Sequence, residues 1–82
     1  MPFTYILYSN SLNRYYIGAT SLAPEERLKY HLSNHKGFTA KAKDWKIVNH
    51  FQTVSLEDAL LLERKIKKRG AKRFLKDNDV QF

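Results

Sequence analysis

The first twenty residues of the chain predict a pair of antiparallel strands. Residues 3–9 are mostly aromatic and β-branched, which is the composition that favours strands. Residues 10–13 are turn-forming, and residues 14–20 again have the composition of a strand. The short separation between the two segments therefore predicts a hairpin.

The second of these strands has two different sides, because successive side chains alternate between the faces of a strand. One side is apolar and should face the core; it carries Tyr15, Ile17 and Ala19. The other side is smaller and more polar, and it carries Tyr16 and Gly18. We expect Tyr16 to stand in a groove where Gly18 leaves room for a ligand.

A helical pattern follows the hairpin. Pro24 suits the first turn of a helix, and the pattern continues to about Asn34. Four residues with the spacing i, i+3, i+4 and i+7 form one stripe of this helix, and Arg27 lies one turn before His31 at the edge of that stripe. The members of that stripe are Leu28, His31, Leu32 and His35. Residues 38–45 then read as a basic loop or a short helical turn.

The second half of the chain predicts one strand and two helices. Residues 46–54 have the composition of a third strand. Ser55 begins a capping-box sequence, so a helix should run from there to about Arg69, where Gly70 is a suitable stop. A last short helix is expected over residues 71–77.

The longer of these helices should pack through a stripe of apolar residues. The stripe consists of Leu56, Ala59, Leu60 and Ile66. Glu63 falls on the same stripe, where a carboxylate is costly unless something pairs with it.

The element order ββα-β-αα contains no repeat and no linker. It fits an α+β fold in which a small three-stranded antiparallel sheet is flanked by helices. We expect residues 1–82 to form a single domain, because a chain of this length builds one core.

Charge favours a polyanionic partner. The chain has 15 Lys and Arg against 8 Asp and Glu, a formal net charge of +7. Residues 64–76 contain eight basic residues and no acidic one. A solvated helix face is the competing interpretation, but eight mutually repelling cations favour a counter-anion.

Several classes of protein are excluded or disfavoured. There is no cysteine, which removes disulfides, cysteine zinc sites and a cysteine nucleophile. The apolar runs are too short to span a membrane or to form a signal-peptide core, so we expect a cytoplasmic protein. No phosphate-binding glycine loop or serine-protease motif is present. His31 and His35 have zinc-like spacing but lack an obvious third ligand.

Four polar side chains are predicted to point towards the core or a cleft: Tyr16, Arg27, His31 and Glu63. Each has a structural alternative. Tyr16 could be a packing residue, Arg27 and Glu63 could form an ion pair between helices, and His31 could be a satisfied helix histidine. Singly, none of the four establishes a site.

The order of these residues is more specific. Tyr5 is followed eleven residues later by Tyr16-Ile17-Gly18, then by Arg27 in one predicted helix and Glu63 in another. This pattern, from about residue 3 to residue 78, resembles the GIY-YIG nuclease superfamily and its small single-domain bacterial members. The first half of the motif is altered, since Phe3 and Thr4 stand before Tyr5.

The resemblance implies a role for each matching residue. Glu63 takes the position of the family's metal-binding glutamate, which implies one divalent cation, Mg²⁺ or Mn²⁺. Arg27 takes that of the essential arginine, which suits phosphate oxygens. Tyr5 and Tyr16 match the tyrosine pair, with Tyr16 as the implied general base. His31 matches a helix residue that assists proton transfer or contacts phosphate.

The resemblance also implies an endonuclease that hydrolyses phosphodiester bonds, of DNA rather than RNA, in a role such as DNA repair. Asn78 is a further candidate, as the match to the family's C-terminal asparagine. Backbone contacts are expected from basic residues: Lys41, Lys43, Lys65, Lys67, Lys68, Arg69, Lys72 and Arg73. The chain has no room for an additional specificity domain, so we expect low sequence specificity, with either a preference for branched, single-stranded or damaged nucleic acid or targeting by a partner protein.

Two other functions compete with this hypothesis. One is a catalytically silent module that binds nucleic acid through the same basic surface. The other is a protein whose basic face docks an acidic partner. Metal-dependent cleavage separates the nuclease from both.

Overall fold

The structure, a computed structural model, describes residues 1–32 and 37–77. The elements follow the predicted order, with a short 3-10 helix before the third strand. They are β1 (Phe3–Ser9), β2 (Arg14–Thr20), α1 (Pro24–Leu32), the 3-10 helix (Phe38–Lys41), β3 (Lys46–Gln52), α2 (Leu56–Arg69) and α3 (Ala71–Asp77). The predicted α+β class is confirmed. The third strand is two residues shorter than expected, and the predicted end of α1 at Asn34 lies outside the described residues.

The sheet has the order β2-β1-β3, and both pairings are antiparallel. The N-terminal strand is therefore the central one. In its register with β2, Tyr5 lies opposite Gly18, and on β3 it lies opposite His50. A register shift between Ile6 and Leu7 interrupts the β1–β3 pairing. The register therefore puts Tyr5 and Gly18, both from the predicted motif, directly opposite each other.

The sheet is covered on both faces. The face that we call the α2 side packs against α2 and α3, and its buried cluster is Ile6, Ile17, Ile66, Ala71, Phe74 and Leu75. The opposite face, the α1 side, packs against α1 and the segment before β3. Its buried cluster is Tyr5, Leu7, Ala42 and Trp45, with Tyr16, Leu28 and Leu32 partly buried against it. Successive side chains of β1 point to opposite faces of the sheet, so this one strand contributes residues to both clusters.

The phase of the packing stripe on α2 differs from the prediction. Ala59 and Ile66 are fully buried, as expected, but Leu56 and Leu60 are 44% and 43% exposed. The hydroxyl of Thr4 donates to the Ala59 carbonyl at 2.7 Å, so the small alanine sits where the helix comes nearest to the sheet. The face of α2 that contains Ala59 and Ile66 therefore packs against the sheet, and Leu56 and Leu60 lie towards solvent.

The ends of α2 follow the sequence. The Ser55 side chain accepts a hydrogen bond from the Asp58 backbone N–H, as a helix N-cap does. Gly70 ends the helix with φ 94°, a conformation that glycine adopts readily. Across the described part of the chain, no helix is long and apolar enough to cross a membrane.

Candidate active site

The strand register brings Tyr5 over Gly18. The two residues are cross-strand neighbours on the α1 side, and a Cβ atom at position 18 would overlap the phenol ring of Tyr5. The absence of a side chain at Gly18 is thus required by the tyrosine opposite. The space expected beside Gly18 is filled by the protein's own ring, so the prediction of ligand room there is wrong.

The Tyr5 hydroxyl is the centre of a hydrogen-bond cluster. Tyr5 is only 1% exposed, and its oxygen accepts a hydrogen bond from Arg27 Nε at 3.3 Å. The same oxygen lies 2.8 Å from His31 Nε2. Burial raises the pKa of the Tyr5 phenol, and the hydrogen bond from Arg27 offsets part of that rise. Two α1 residues one turn apart therefore converge on one buried oxygen.

His31 connects this cluster to the segment before β3. The side chain is 2% exposed, and its Nδ1 lies 2.9 Å from the Thr39 hydroxyl oxygen. The indole N–H of Trp45 donates to the Thr39 carbonyl at 2.9 Å. These bonds are satisfied together when Tyr5 donates to Nε2 and the Nδ1–H donates to Thr39. Both ring nitrogens are occupied in this way, so His31 is not presented at the surface as a phosphate ligand would be.

Thr39 and Trp45 did not emerge from the sequence as site residues. Both lie in the basic segment between α1 and β3, which has no periodicity from which side-chain direction can be read. Trp45 is 3% exposed. A buried indole needs an acceptor, which is the one signal that could have pointed to this segment.

Arg27 is held by two aromatic residues. Besides its bond to Tyr5, its guanidinium carbon lies 4.4 Å from the centre of the exposed Tyr30 ring, a cation–π contact. Arg27 forms no ion pair with Glu63, which is paired with Lys67 instead. The alternative of a structural Arg27–Glu63 bridge between helices is therefore wrong.

Tyr16 is the more accessible of the two motif tyrosines. Its ring packs against His31 with centroids 4.9 Å apart, and it lies 6.4 Å from the ring of Tyr5. Unlike Tyr5, it is only partly buried. The structure thus brings Tyr5, Tyr16, Arg27 and His31 together on the α1 side.

Glu63 approaches the cluster from α2. Its side chain is 19% exposed, and its carboxylate accepts a hydrogen bond from Lys67 Nζ at 2.8 Å, one helical turn later. The negative charge of Glu63 is one of the causes that raise the pKa of the Tyr5 phenol. The carboxylate therefore lies within electrostatic range of that group. A partly exposed carboxylate of this kind suits a hard cation, which prefers oxygen ligands.

The described side chains offer a divalent cation few ligands. Within residues 1–32 and 37–77, no group of three or more His, Asp or Glu side chains could hold a metal by itself. Mg²⁺ is commonly bound through one or two carboxylates, with water and substrate phosphates as the other ligands. A single carboxylate at Glu63 fits that mode. Of the two histidines with zinc-like spacing, His31 has both ring nitrogens in hydrogen bonds, and His35 lies outside the described residues.

Residues 1–76 match the family model of the GIY-YIG catalytic domain. The chain belongs to the GIY-YIG family. Searches of curated proteins and of solved structures gave no match. Membership makes this a domain of the nuclease type, for which the substrate is nucleic acid and a divalent cation is generally required.

The basic surface of this GIY-YIG domain is exposed but partly neutralised. Lys67 pairs with Glu63, and Arg69 donates to Asp77 at 2.6 and 3.1 Å. The remaining cations of residues 64–76 form no ion pair with another described residue; they are Arg64, Lys65, Lys68, Lys72, Arg73 and Lys76. Lys41 and Lys43 are also exposed, and Lys43 donates to the Leu32 carbonyl. The last candidate of the motif, Asn78, lies outside the described residues.

Proposed function

We propose that this GIY-YIG domain is a divalent-metal-dependent endonuclease that hydrolyses phosphodiester bonds of DNA with low sequence specificity. The observation that carries the proposal is the convergence of Arg27 and His31 on the Tyr5 hydroxyl, with Tyr16 beside them. A buried polar cluster of this kind is expensive to build for packing alone, because each member needs its partners.

The difference in burial separates the roles of the two tyrosines. A general base must reach the water or hydroxyl from which it takes a proton. Tyr16 is partly exposed, whereas Tyr5 is closed off beneath the cluster. We therefore assign proton abstraction to Tyr16. Tyr5 and His31 are positioning residues, which hold Arg27 and the ring of Tyr16 in place.

Arg27 stabilises charge on the phosphate. Its bond to Tyr5 uses Nε, so its two terminal nitrogens are left to donate to phosphate oxygens. Stacking on Tyr30 restricts the guanidinium further. A donor held in advance at the place where negative charge develops contributes to catalysis without reorganisation.

Glu63 would hold one Mg²⁺ or Mn²⁺, and such an ion, when bound, supplies charge neutralisation and lowers the pKa of bound water. Because Lys67 already neutralises Glu63, the carboxylate stays in its place on α2 before any ion arrives. The lysine is then available to the phosphate backbone.

Affinity in this proposal comes from phosphate contacts. The exposed cations of residues 64–76 neutralise phosphates without reading bases, so binding should weaken steeply with salt. Targeting by a partner protein and a cytoplasmic location belong to the proposal as expectations from the sequence.

The test is cleavage of labelled duplex, single-stranded and branched DNA and RNA in Mg²⁺, Mn²⁺ or EDTA. Glu63→Gln should reduce cleavage to the level seen in EDTA, while most binding is retained. Glu57→Gln, at an exposed site in the first turn of the same helix, is the matched control and should cleave normally. Arg27→Ala should lower the rate by about 10²–10³-fold.

Two results would contradict the proposal. Cleavage that survives Glu63→Gln undiminished would remove the metal assignment. Salt-sensitive binding with no cleavage of any substrate would identify a silent binding module instead.

A further inference from the structure

A second concave site lies on the α2 side of the sheet, away from the tyrosine cluster. It is a cavity of about 820 Å³ between β3, α2 and α3. Its lining residues are Phe51, Leu62, Lys65, Lys68, Arg69, Phe74 and Asp77. None of the residues assigned to catalysis above contributes to it, so the proposed reaction does not explain it.

The floor of this cavity is aromatic. Phe51 and Phe74 meet edge to face, with ring centroids 5.7 Å apart and an angle of 89° between the ring planes. Phe74 is buried, whereas Phe51, on the edge strand β3, is only partly buried. Leu62 of α2 adds an aliphatic wall. Such a floor suits a flat, apolar ligand face.

The rim of the cavity is basic. Lys65 and Lys68 are exposed and form no ion pair with another described residue, so their charges face the opening. The third cation, Arg69, is already bound to Asp77. Lys65 and Lys68 stand three residues apart on α2, which puts their Cβ atoms about 5–6 Å apart. The ligand should therefore carry negative charge next to its flat part, along the α2 wall of the cavity.

We propose that this cavity binds an unstacked nucleobase of a single-stranded segment, with the flanking phosphates on Lys65 and Lys68. The inference deepens the proposed function, on which it rests, because it names unpaired nucleic acid as the preferred substrate. A base inside a duplex is stacked on both faces and cannot enter such a cavity. The volume is within the range of sites for small organic ligands, about 300–1,000 Å³.

The position of the cavity relates it to cleavage. Leu62 lines it, and the next residue, Glu63, borders the tyrosine cluster. Two consecutive residues of α2 therefore relate the two sites, which lie on opposite sides of the sheet. A strand anchored by one base in the cavity would cross the helix and present a phosphodiester a few nucleotides away to Arg27 and Tyr16.

The experiment measures fluorescence anisotropy of labelled oligonucleotides with the full chain in EDTA. A 12-nucleotide single strand is compared with an abasic strand of the same length. Wild type should bind the base-bearing strand about 5- to 150-fold more tightly, the range expected for stacking one base on an aromatic side chain. Phe51→Leu, which keeps an apolar side chain but removes the ring, should abolish this preference.

The matched control is Phe3→Leu, which removes a partly buried ring of the neighbouring strand outside the cavity. It should retain the preference. Replacing Lys65 and Lys68 together by Gln should weaken binding to both strands, whereas Lys46→Gln, at the opposite end of β3, should change it less. A strand carrying 5-iodouracil should photocrosslink to Phe51 or Phe74.

Several results would overturn the inference. Equal affinity of wild type for the base-bearing and abasic strands would show that the cavity takes no base. Crosslinks at Tyr16 or Trp45 would put the base on the α1 side. Free AMP binding as tightly as the strand would assign the cavity to a free nucleotide, and competition only by an acidic peptide would assign it to a protein partner. Cleavage in Mg²⁺ is measured separately, so equal affinity of the wild type for the two strands, together with intact cleavage, refutes only this inference.

Discussion

The two sides of the sheet solve different problems with the same strands. On the α2 side, buried residues such as Ile6, Ile17 and Ile66 form a cluster held by apolar contact. On the α1 side, Tyr5 and His31 are just as buried but are joined by hydrogen bonds. The first side can tolerate a change of shape at a cost in stability, whereas the second depends on particular atoms. Apart from Glu63 on α2, the residues assigned to catalysis are thus separated by the sheet from the apolar cluster.

The separation can be tested first on the α2 side, where the largest loss of stability is expected. Leu75 is 1% exposed in that cluster. Leu75→Ala should lower the free energy of unfolding by about 2–5 kcal/mol, because it leaves a cavity. Cleavage per folded molecule, measured well below the melting temperature, should be nearly unchanged. Ile17→Val, at about 0.5–1.5 kcal/mol, gives a milder variant if Leu75→Ala does not fold.

A smaller loss of stability is expected when a methyl group is added to the already filled α1 side. Gly18→Ala should cost about 1–3 kcal/mol, since the new methyl group must displace the Tyr5 ring, and cleavage should be lost with it. Gly70→Ala is the matched control. Nothing lies within 4 Å of its added methyl group, so its cost comes from the positive φ alone and cleavage should persist. Equal activity of the two variants would contradict the role given to Gly18.

Removal of the Tyr5 hydroxyl oxygen should lower the cleavage rate strongly while it lowers the free energy of unfolding only a little. Tyr5→Phe keeps the buried ring and should cost about 0.5–1.5 kcal/mol for each hydrogen bond lost. Cleavage should fall by about 10²-fold, because Arg27 and His31 lose the atom that aligns them. Tyr15→Phe makes the same change on the α2 side and should leave the rate unaltered. Normal cleavage by Tyr5→Phe would remove the positioning role.

The smallest effect should appear at a carboxylate that belongs to neither cluster. Asp44 accepts hydrogen bonds from the Ser9 hydroxyl at 2.6 Å and the Ser11 N–H at 2.8 Å, and these bonds lower its pKa. A lowered pKa in the folded state contributes stability above the unfolded value of about 3.9 and loses it as the pH falls through the folded value. The wild type should therefore melt above Asp44→Asn at neutral pH, and this difference should vanish in acid. A melting-temperature difference between the wild type and Asp44→Asn that is the same at neutral and acid pH would contradict this contribution of the two hydrogen bonds.

The sequence predicts the bounds of the strands and helices better than it predicts which helix face packs against the sheet or which side chains come into contact. The bounds of β1 and β2 and the cap of α2 at Ser55 agree with the prediction, because local composition determines them. Leu56 and Leu60 were wrongly assigned to the core, since a period of 3.6 gives the spacing of a stripe but not which stripe faces the sheet. That choice depends on Ala59 and its contact with Thr4, residues far apart in the chain.

The candidate site shows the same limit. The motif residues Tyr5, Tyr16, Arg27 and Glu63 can be read from their order in the sequence. That Tyr5 fills the space above Gly18 follows only from the strand register, which no local pattern determines. Thr39 joins the cluster from a segment without periodicity, so its part depends on how the chain returns to the sheet.

The place of β3 in the sheet has a consequence for local opening. It is an edge strand that pairs with β1 alone, and the pairing joins residues 38 to 49 positions apart in the chain. The intervening chain carries His31, Thr39 and Trp45. Detachment of this one ladder would loosen the segment that carries Thr39, a partner of His31, while Tyr5 stays in the paired β1–β2 hairpin. The hydrogen-exchange rates of the β3 amides should therefore measure how often the hydrogen-bond cluster around His31 opens without unfolding of the whole protein.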